Sequence, residues 1–266
     1  MTVASRTVDA FLGGAFEAVQ PAGGGHRSGL EAILLAAAVP SAFSGDVVDL
    51  GAGAGVAGFA IACRCPAARV TLVDRDPEAL ACAAEGLARP ANAAFAGRVS
   101  IVSADVAAPE ADRAAAGLGR ESADLVVMNP PFRNAGAGTA SPELARRAAR
   151  VLDGDAPDVW VRTATATLRS GGRLVAIYRA DGLAELLAAL AGRFGDRTVL
   201  PVHPREGEPA LRVIVAARKG TRGPDRLLQG FMLHGEEGGA YLPPVEQILR
   251  AGAALADVHP AWRGTL

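Results

Sequence analysis

Val47-Val48-Asp49-Leu50-Gly51-Ala52-Gly53-Ala54-Gly55 is a short apolar run that breaks into a glycine-rich turn. Val47 to Leu50 has the apolar character of a strand covered on both faces of a parallel sheet. The glycines after it let the backbone turn sharply and approach a ligand closely, since no Cβ intervenes. A helical pattern over 55–63 follows at once, so the stretch reads as strand, turn and helix of an open α/β sheet. Outward from it, Val70 to Asp74, Val99 to Val102, Leu125 to Met128 and Leu174 to Tyr178 repeat the buried-strand pattern. Helical segments over 77–88, 110–117, 157–169 and 182–193 alternate with them. Thr198 to Val202 and Leu211 to Ala217 are two further strands, joined by a Pro/Gly/Glu-rich turn at 204–209. A hairpin closing a parallel sheet gives a seven-stranded ending, unlike the all-parallel ending of a dinucleotide dehydrogenase.

Ahead of this core, Val8 to Leu12 and Ala15 to Val19 flank Gly13-Gly14 in the pattern of a short hairpin. After Pro21 and the Gly23-Gly24-Gly25 break, a helical run extends from Ser28 to Val39 and stops at Pro40. The connection 133–156, rich in Gly and Arg, is long for a strand-to-helix loop and is expected to be functional or mobile. Residues 220–266 carry Gly, Pro and scattered apolar positions and are expected to wrap around as a tail without a core. The expected organisation is one domain over 1–266: hairpin and helix at 1–40, catalytic core at 41–219, tail at 220–266.

Asp49 discriminates between two kinds of ligand. Gly53-x-Gly55-x-x-Gly58 matches a dinucleotide-binding pattern, and Asp74, ending the second core strand, would bind ribose hydroxyls under either reading. A carboxylate ahead of the first glycine, Gly51, repels a pyrophosphate but can hold a cationic amino-acid moiety, directly or through water. S-adenosyl-L-methionine carries a sulfonium and an ammonium and no phosphate. Asp105, at the end of the third strand, is placed to accept a hydrogen bond from its adenine amine. Asp49, Asp74, Asp105 and Asn129 thus end four successive strands. Each alone also fits a helix cap or a solvated turn; four at corresponding places favour a binding edge.

Asn129-Pro130-Pro131-Phe132 follows directly on the strand Ala123 to Met128. Asparagine offers one acceptor and two donors. The prolines fix φ at about −65° and lack N–H groups, so the turn can aim bare carbonyls outward. Phe132 adds a flat face for stacking. An acceptor pair, the Asn129 side-chain oxygen and the Pro130 carbonyl, beside a ring suits the exocyclic amine of a nucleobase. Accepting the amine protons localises a lone pair that is otherwise conjugated into the ring and aims it at a methyl donor. That is positioning and preorganised electrostatics, with no strong base.

The glycine turn with Asp49 and the Asn129 motif together resemble the class I S-adenosylmethionine-dependent methyltransferases that modify exocyclic amines. More narrowly, the chain resembles the bacterial tRNA(Val) adenine N6-methyltransferase family. That likeness lies in Phe11-Leu12-Gly13-Gly14, Gln20-Pro21 and Gly25-His26-Arg27-Ser28-Gly29-Leu30-Glu31-Ala32-Ile33-Leu34-Leu35, and it covers most of residues 8–250. It implies a Rossmann-like seven-stranded sheet, S-adenosyl-L-methionine as cofactor and a tRNA adenine as substrate. It also implies that the segment bearing Arg27 and Glu31 lies over the methionine end of the cofactor; a solvated helix start is the other reading of His26 and Arg27. Position 132 is Phe where many adenine N6 enzymes have Tyr, a change that stacking tolerates. Guanine N2-methyltransferases of ribosomal RNA share Asn-Pro-Pro-Phe, and release-factor glutamine methyltransferases share Asn-Pro-Pro-Tyr, so the motif states a planar nitrogen nucleophile and leaves its identity open.

Hydrophobic residues make up 50% and charged residues 21% of the 266, which reads as globular. Neither a membrane span nor a secretory signal is expected, and a cytoplasmic location follows. Cys63, Cys65 and Cys82 have no metal-ligand spacing and are expected as free thiols. A net charge of −1 does not announce a nucleic-acid binder. Arg133, Arg146, Arg147 and Arg150 nonetheless follow the Asn129 motif, and Arg146 and Arg150 share a face if Pro142 to Arg150 is helical. That face suits RNA phosphates or is an ordinary solvated one. A nicotinamide-dependent oxidoreductase, a non-catalytic RNA-binding protein and a small-molecule methyltransferase are the competing classes.

Overall fold

In a computed structural model that describes residues 5–22, 29–131 and 156–266, the alternating pattern becomes one twisted sheet. The chain starts with an antiparallel pair, β1 (Arg6–Phe11) and β2 (Phe16–Pro21), in register Phe11 to Phe16. Helix α1 (Leu30–Ala37) leads into β3 (Gly45–Leu50) and α2 (Val56–Arg64). Then come β4 (Ala68–Asp74), α3 (Pro77–Leu87), α4 (Ala93–Ala96), β5 (Val99–Ser103), α5 (Glu110–Ala115) and β6 (Ala123–Met128). Past the undescribed connection lie α6 (Pro157–Thr167), β7 (Leu168–Arg179), α7 (Leu183–Leu190), β8 (Phe194–His203) and β9 (Arg212–Lys219). The chain ends with β10 (Arg226–Leu227), β11 (Phe231–Met232), α8 (Pro243–Ala251) and α9 (Leu255–Val258).

The long strands are ordered β8-β9-β7-β6-β3-β4-β5, and the two-residue strands β10 and β11 both pair with β8. All pairs are parallel except those made by β9, which runs antiparallel to β7 and β8. The seven-stranded sheet with its closing hairpin is thus as expected. Strand order reverses between β3 and β6: the chain first winds outward to β4 and β5, then returns to the other side. In open α/β sheets, the crevice at the carboxyl ends of such strands is where ligands bind.

Side-chain alternation divides the core in two. Val47, Leu125, Val127, Val175, Ile177, Leu200 and Ile214 face the layer that holds α1, α2 and α8. Val48, Leu50, Val126, Met128, Leu174, Ala176 and Val215 face α6 and α7. With both faces covered, the central stretches Val47–Val48, Leu72–Val73, Leu125–Met128 and Leu174–Ile177 are apolar, which is why they read as apolar runs. The β1–β2 pair packs against α3, and Phe16 meets Phe59 and Phe95 edge-on at 6.3 and 6.4 Å.

The C-terminal segment corrects one expectation. It contributes Val245, Ile248, Leu255 and Trp262, each 0–2% exposed, to the larger core cluster. The Trp262 Nε1–H also donates to the Ala38 carbonyl at 3.0 Å. Val245 and Ile248 are spaced one helical turn apart, a pattern too short to separate from a loop by periodicity alone.

Candidate functional site

At the carboxyl ends of β3, β4, β5 and β6 lies a cavity of about 390 Å³, within the range of small-molecule sites. Asp49, Gly51, Gly53, Asp74, Asp105, Asn129, Pro130 and Pro131 all line it. The structure therefore brings together eight of the residues singled out from the sequence, from four strand ends. Pro21, ending β2, and Leu35 in α1 also line it. Arg27, Phe132, Arg133, Arg146, Arg147 and Arg150 lie outside the described residues.

The turn after β3 is held by β4. Gly51 and Ala52 both donate their N–H to the Val73 carbonyl, at 2.8 and 3.0 Å, and Gly53 donates to Asp74 Oδ2 at 2.7 Å. Asp74 Oδ1 accepts from the Asp76 N–H at 2.9 Å. One carboxylate thus shapes the turn while keeping lone pairs toward the cavity. Gly51 sits at φ 70°, and a Cβ there would come within 2.4 Å of the Trp160 ring. Gly55, expected among the cofactor contacts, does not line the cavity. A Cβ there would lie 2.8 Å from Leu72, so its φ of 84° serves the packing of α2 on the sheet.

Asp49 is 2% exposed. Its Oδ2 accepts the Gly58 N–H at 2.9 Å. Burial pushes its carboxyl up to about 7; the Gly58 bond pulls the other way, and the neighbouring Asp74 charge adds to the rise. A buried carboxylate with a single hydrogen bond is costly unless a cation joins it. Asp105 Oδ1 accepts from the Ala107 N–H at 2.8 Å, and its Oδ2 faces Arg75 at 3.4 Å.

Asn129 stands at the cavity edge just after β6. Its Nδ2 donates to Glu31 Oε2 at 3.2 Å, while Oδ1 is buried and has no partner among the described residues. Arg212 Nε donates to the other Glu31 oxygen at 2.5 Å. The resemblance drew Glu31 toward the pocket. Arg212 and Trp160 went unnoticed in the sequence, where each looks like an ordinary strand or helix residue. Among the described residues no cluster of His, Cys, Asp or Glu could hold a metal ion.

Residues 30–201 match the methyltransferase small domain family. The chain belongs to that family. The chain is 30% identical over 164 residues to a Porphyromonas gingivalis protein named tRNA1(Val) (adenine(37)-N6)-methyltransferase, a match covering 60% of this chain and 61% of that one. It is 32% identical over 174 residues to the release factor glutamine methyltransferase of Chlorobaculum tepidum, covering 63% of this chain and 56% of that one. These matched stretches thus span 61% and 56% of the two curated relatives' lengths. Among solved structures, a predicted O-methyltransferase of Agrobacterium tumefaciens shares 36% identity at a TM-score of 0.72, covering 84% of this chain and 97% of its own. The sequence resemblance to class I S-adenosylmethionine-dependent methyltransferases is borne out.

The residues present fit S-adenosyl-L-methionine, the ligand bound in solved structures of similar fold. Among the described lining residues, carboxylates at 49, 74, 76 and 105 against a single cation, Arg75, disfavour a pyrophosphate and favour a cationic ligand with hydroxyls. A Cβ at Gly53 would stand in open space, so backbone there is accessible to a ligand.

Proposed function

We propose that this methyltransferase transfers a methyl group to the exocyclic amine of a nucleobase in RNA, with adenine N6 of a tRNA as the leading substrate and the cytoplasm as its location. The observation that carries this reading is the Asn129 amide, whose N–H side is taken by Glu31 while its Oδ1 is buried without a partner among the described residues. A buried unpaired acceptor costs about 1–3 kcal/mol, and a substrate N–H would relieve it. Paired with the Pro130 carbonyl, it offers two acceptors, matched to an amine with two protons and mismatched to a hydroxyl with one. This is why a nitrogen nucleophile is preferred over an oxygen, despite the name of the Agrobacterium relative.

The donor supplies an electrophilic methyl on a sulfonium. Asp49 would hold its ammonium, Asp74 the ribose hydroxyls, and Asp105 the adenine amine. Asn129 and Pro130 orient the acceptor nitrogen, Pro131 stiffens the turn, and Phe132 would stack on the base, worth roughly 1–3 kcal/mol. Residues 1–266 are read as one working domain, supported by the C-terminal side chains buried in the same core as α1 and α2. Guanine N2 in ribosomal RNA and a protein glutamine amide keep the same chemistry. The second has specific support in the Chlorobaculum relative, named for glutamine.

Methyl transfer from labelled S-adenosyl-L-methionine to total bacterial tRNA, ribosomal RNA and protein tests the reading. N6-methyladenosine in tRNA is expected. Label in N2-methylguanosine or in protein overturns the substrate and keeps the nitrogen chemistry. Asn129→Ala is expected to abolish turnover with donor affinity nearly unchanged; full turnover in that variant refutes the mechanism.

A further inference from the structure

Three segments far apart in the chain meet beside the cavity. Glu31 lies in the first turn of α1, Asn129 follows β6, and Arg212 opens β9. Because β9 is antiparallel, its first residue sits opposite Arg179, the last residue of β7, at the carboxyl edge of the parallel strands. There Arg212 Nε donates to Glu31 Oε1 at 2.5 Å, and Asn129 Nδ2 donates to Glu31 Oε2 at 3.2 Å. The two oxygens of one carboxylate are therefore taken by different donors.

A side-chain amide is nearly symmetric in shape, and a half-turn exchanges its oxygen for its NH₂. At Asn129 that half-turn would set Oδ1 against a carboxylate oxygen, acceptor facing acceptor. The carboxylate cannot turn away readily, because its other oxygen is bound to Arg212. One amide orientation remains, and in it Oδ1 is the buried atom without a partner among the described residues.

We infer that Glu31, held by Arg212, is a positioning residue that locks the Asn129 amide as an acceptor toward the substrate and so selects substrates that bring N–H donors. The inference rests on the nitrogen-transfer reading above. Neither residue touches the reacting atoms; both act through Asn129. The Glu31 and Arg212 side chains are 24% and 32% exposed, and partly exposed ion pairs contribute little to stability. Their loss is expected to appear in turnover and not in the melting temperature.

The test compares Glu31→Ala, Glu31→Gln, Arg212→Ala, Asn129→Ala and the Glu31→Ala/Asn129→Ala double variant, with labelled S-adenosyl-L-methionine and total bacterial tRNA. Glu31→Ala is expected to lower kcat roughly tenfold to a hundredfold, the range for a hydrogen bond to a charged group, with the donor KM unchanged. Glu31→Gln keeps an acceptor oxygen but can itself flip, and falls between wild type and Ala. The double variant is expected to be no slower than Asn129→Ala alone, since both changes remove one device. A second readout needs no turnover. The chain has only three asparagines, Asn92, Asn129 and Asn134, so ¹⁵N-asparagine labelling resolves the Asn129 side-chain amide. Its protons are expected to be protected from exchange in the wild type and to lose protection in Glu31→Ala. Wild-type kcat in Glu31→Ala, a double variant slower than Asn129→Ala by the full Glu31 factor, or unchanged exchange overturns the inference. Wild-type turnover in Asn129→Ala instead refutes the nitrogen-transfer reading, and if tRNA accepts no methyl the exchange measurement decides the lock alone.

Discussion

Replacing Asp49 by Asn should make the ligand-free protein more stable and a poorer donor binder, and pH should tune both effects. The Asp49 carboxyl is fully buried, and its burial lifts it from 3.8 to about 7. An acid raised in the folded state costs nothing below the unfolded value, where both states are protonated. The cost grows as pH rises from about 4 to about 7 and is complete above that. The gap of about 3 pH units corresponds to on the order of 4 kcal/mol at 1.36 kcal/mol per unit. At about 2–4 °C per kcal/mol for a chain of this size, Asp49→Asn should melt about 10 °C higher at pH 8, with a much smaller gain near pH 5. Donor binding runs the other way. If only the ionised carboxylate holds the cationic end, the competent fraction falls from about nine-tenths at pH 8 to about one-tenth at pH 6, a roughly tenfold weaker apparent Kd. Asp49→Asn should bind more weakly throughout and supplies the baseline for the donor's own amine titration, near pH 8. Thermal melts and calorimetric titrations of both proteins from pH 5 to pH 8 are the assay. An equal melting difference at pH 5 and pH 8, or a variant less stable at pH 8, refutes the reasoning.

Three further outcomes are expected. Trp262→Ala removes a ring that is 2% exposed and hydrogen-bonded to Ala38; a loss of roughly 3–5 kcal/mol in urea unfolding is expected, and a loss under ~1 kcal/mol would mean that the C-terminal segment is not part of the core. Gly51→Ala puts a Cβ at φ 70° and 2.4 Å from the Trp160 ring. It should cost on the order of 2 kcal/mol and weaken donor binding, so unchanged stability and affinity would show that the turn tolerates a side chain. Arg146→Ala with Arg150→Ala should weaken RNA binding and reduce its salt slope by about 1 per arginine while leaving donor affinity alone; an unchanged slope removes these residues from the RNA surface.

Much of the fold was legible because each of its signals is local. Val47 to Leu50, Val70 to Asp74 and Leu125 to Met128 are mostly apolar, since helices cover both sheet faces, and the turn after β3 needs glycine where φ is positive. Asp49, Asp74, Asp105 and Asn129 could be read for a related reason. Each is the polar residue where an apolar strand stops, and parallel strands stop on the same edge, so strand order alone brings their ends together. The C-terminal core residues were not legible, because α8 is short and flanked by glycine and proline.

What the sequence determined by itself is the sheet, its closing hairpin and an acidic edge with a polar turn at β6. Only the tertiary structure decided which way the Asn129 amide faces. That depends on Glu31, 98 residues before it, and on Arg212, which lies 181 residues after Glu31. No local pattern announces their pairing, because an ion pair closed across such distances is specified by how α1 and the reversed strand β9 dock on the sheet. The same holds for Trp160, which meets Gly51 only once α6 lies over β3.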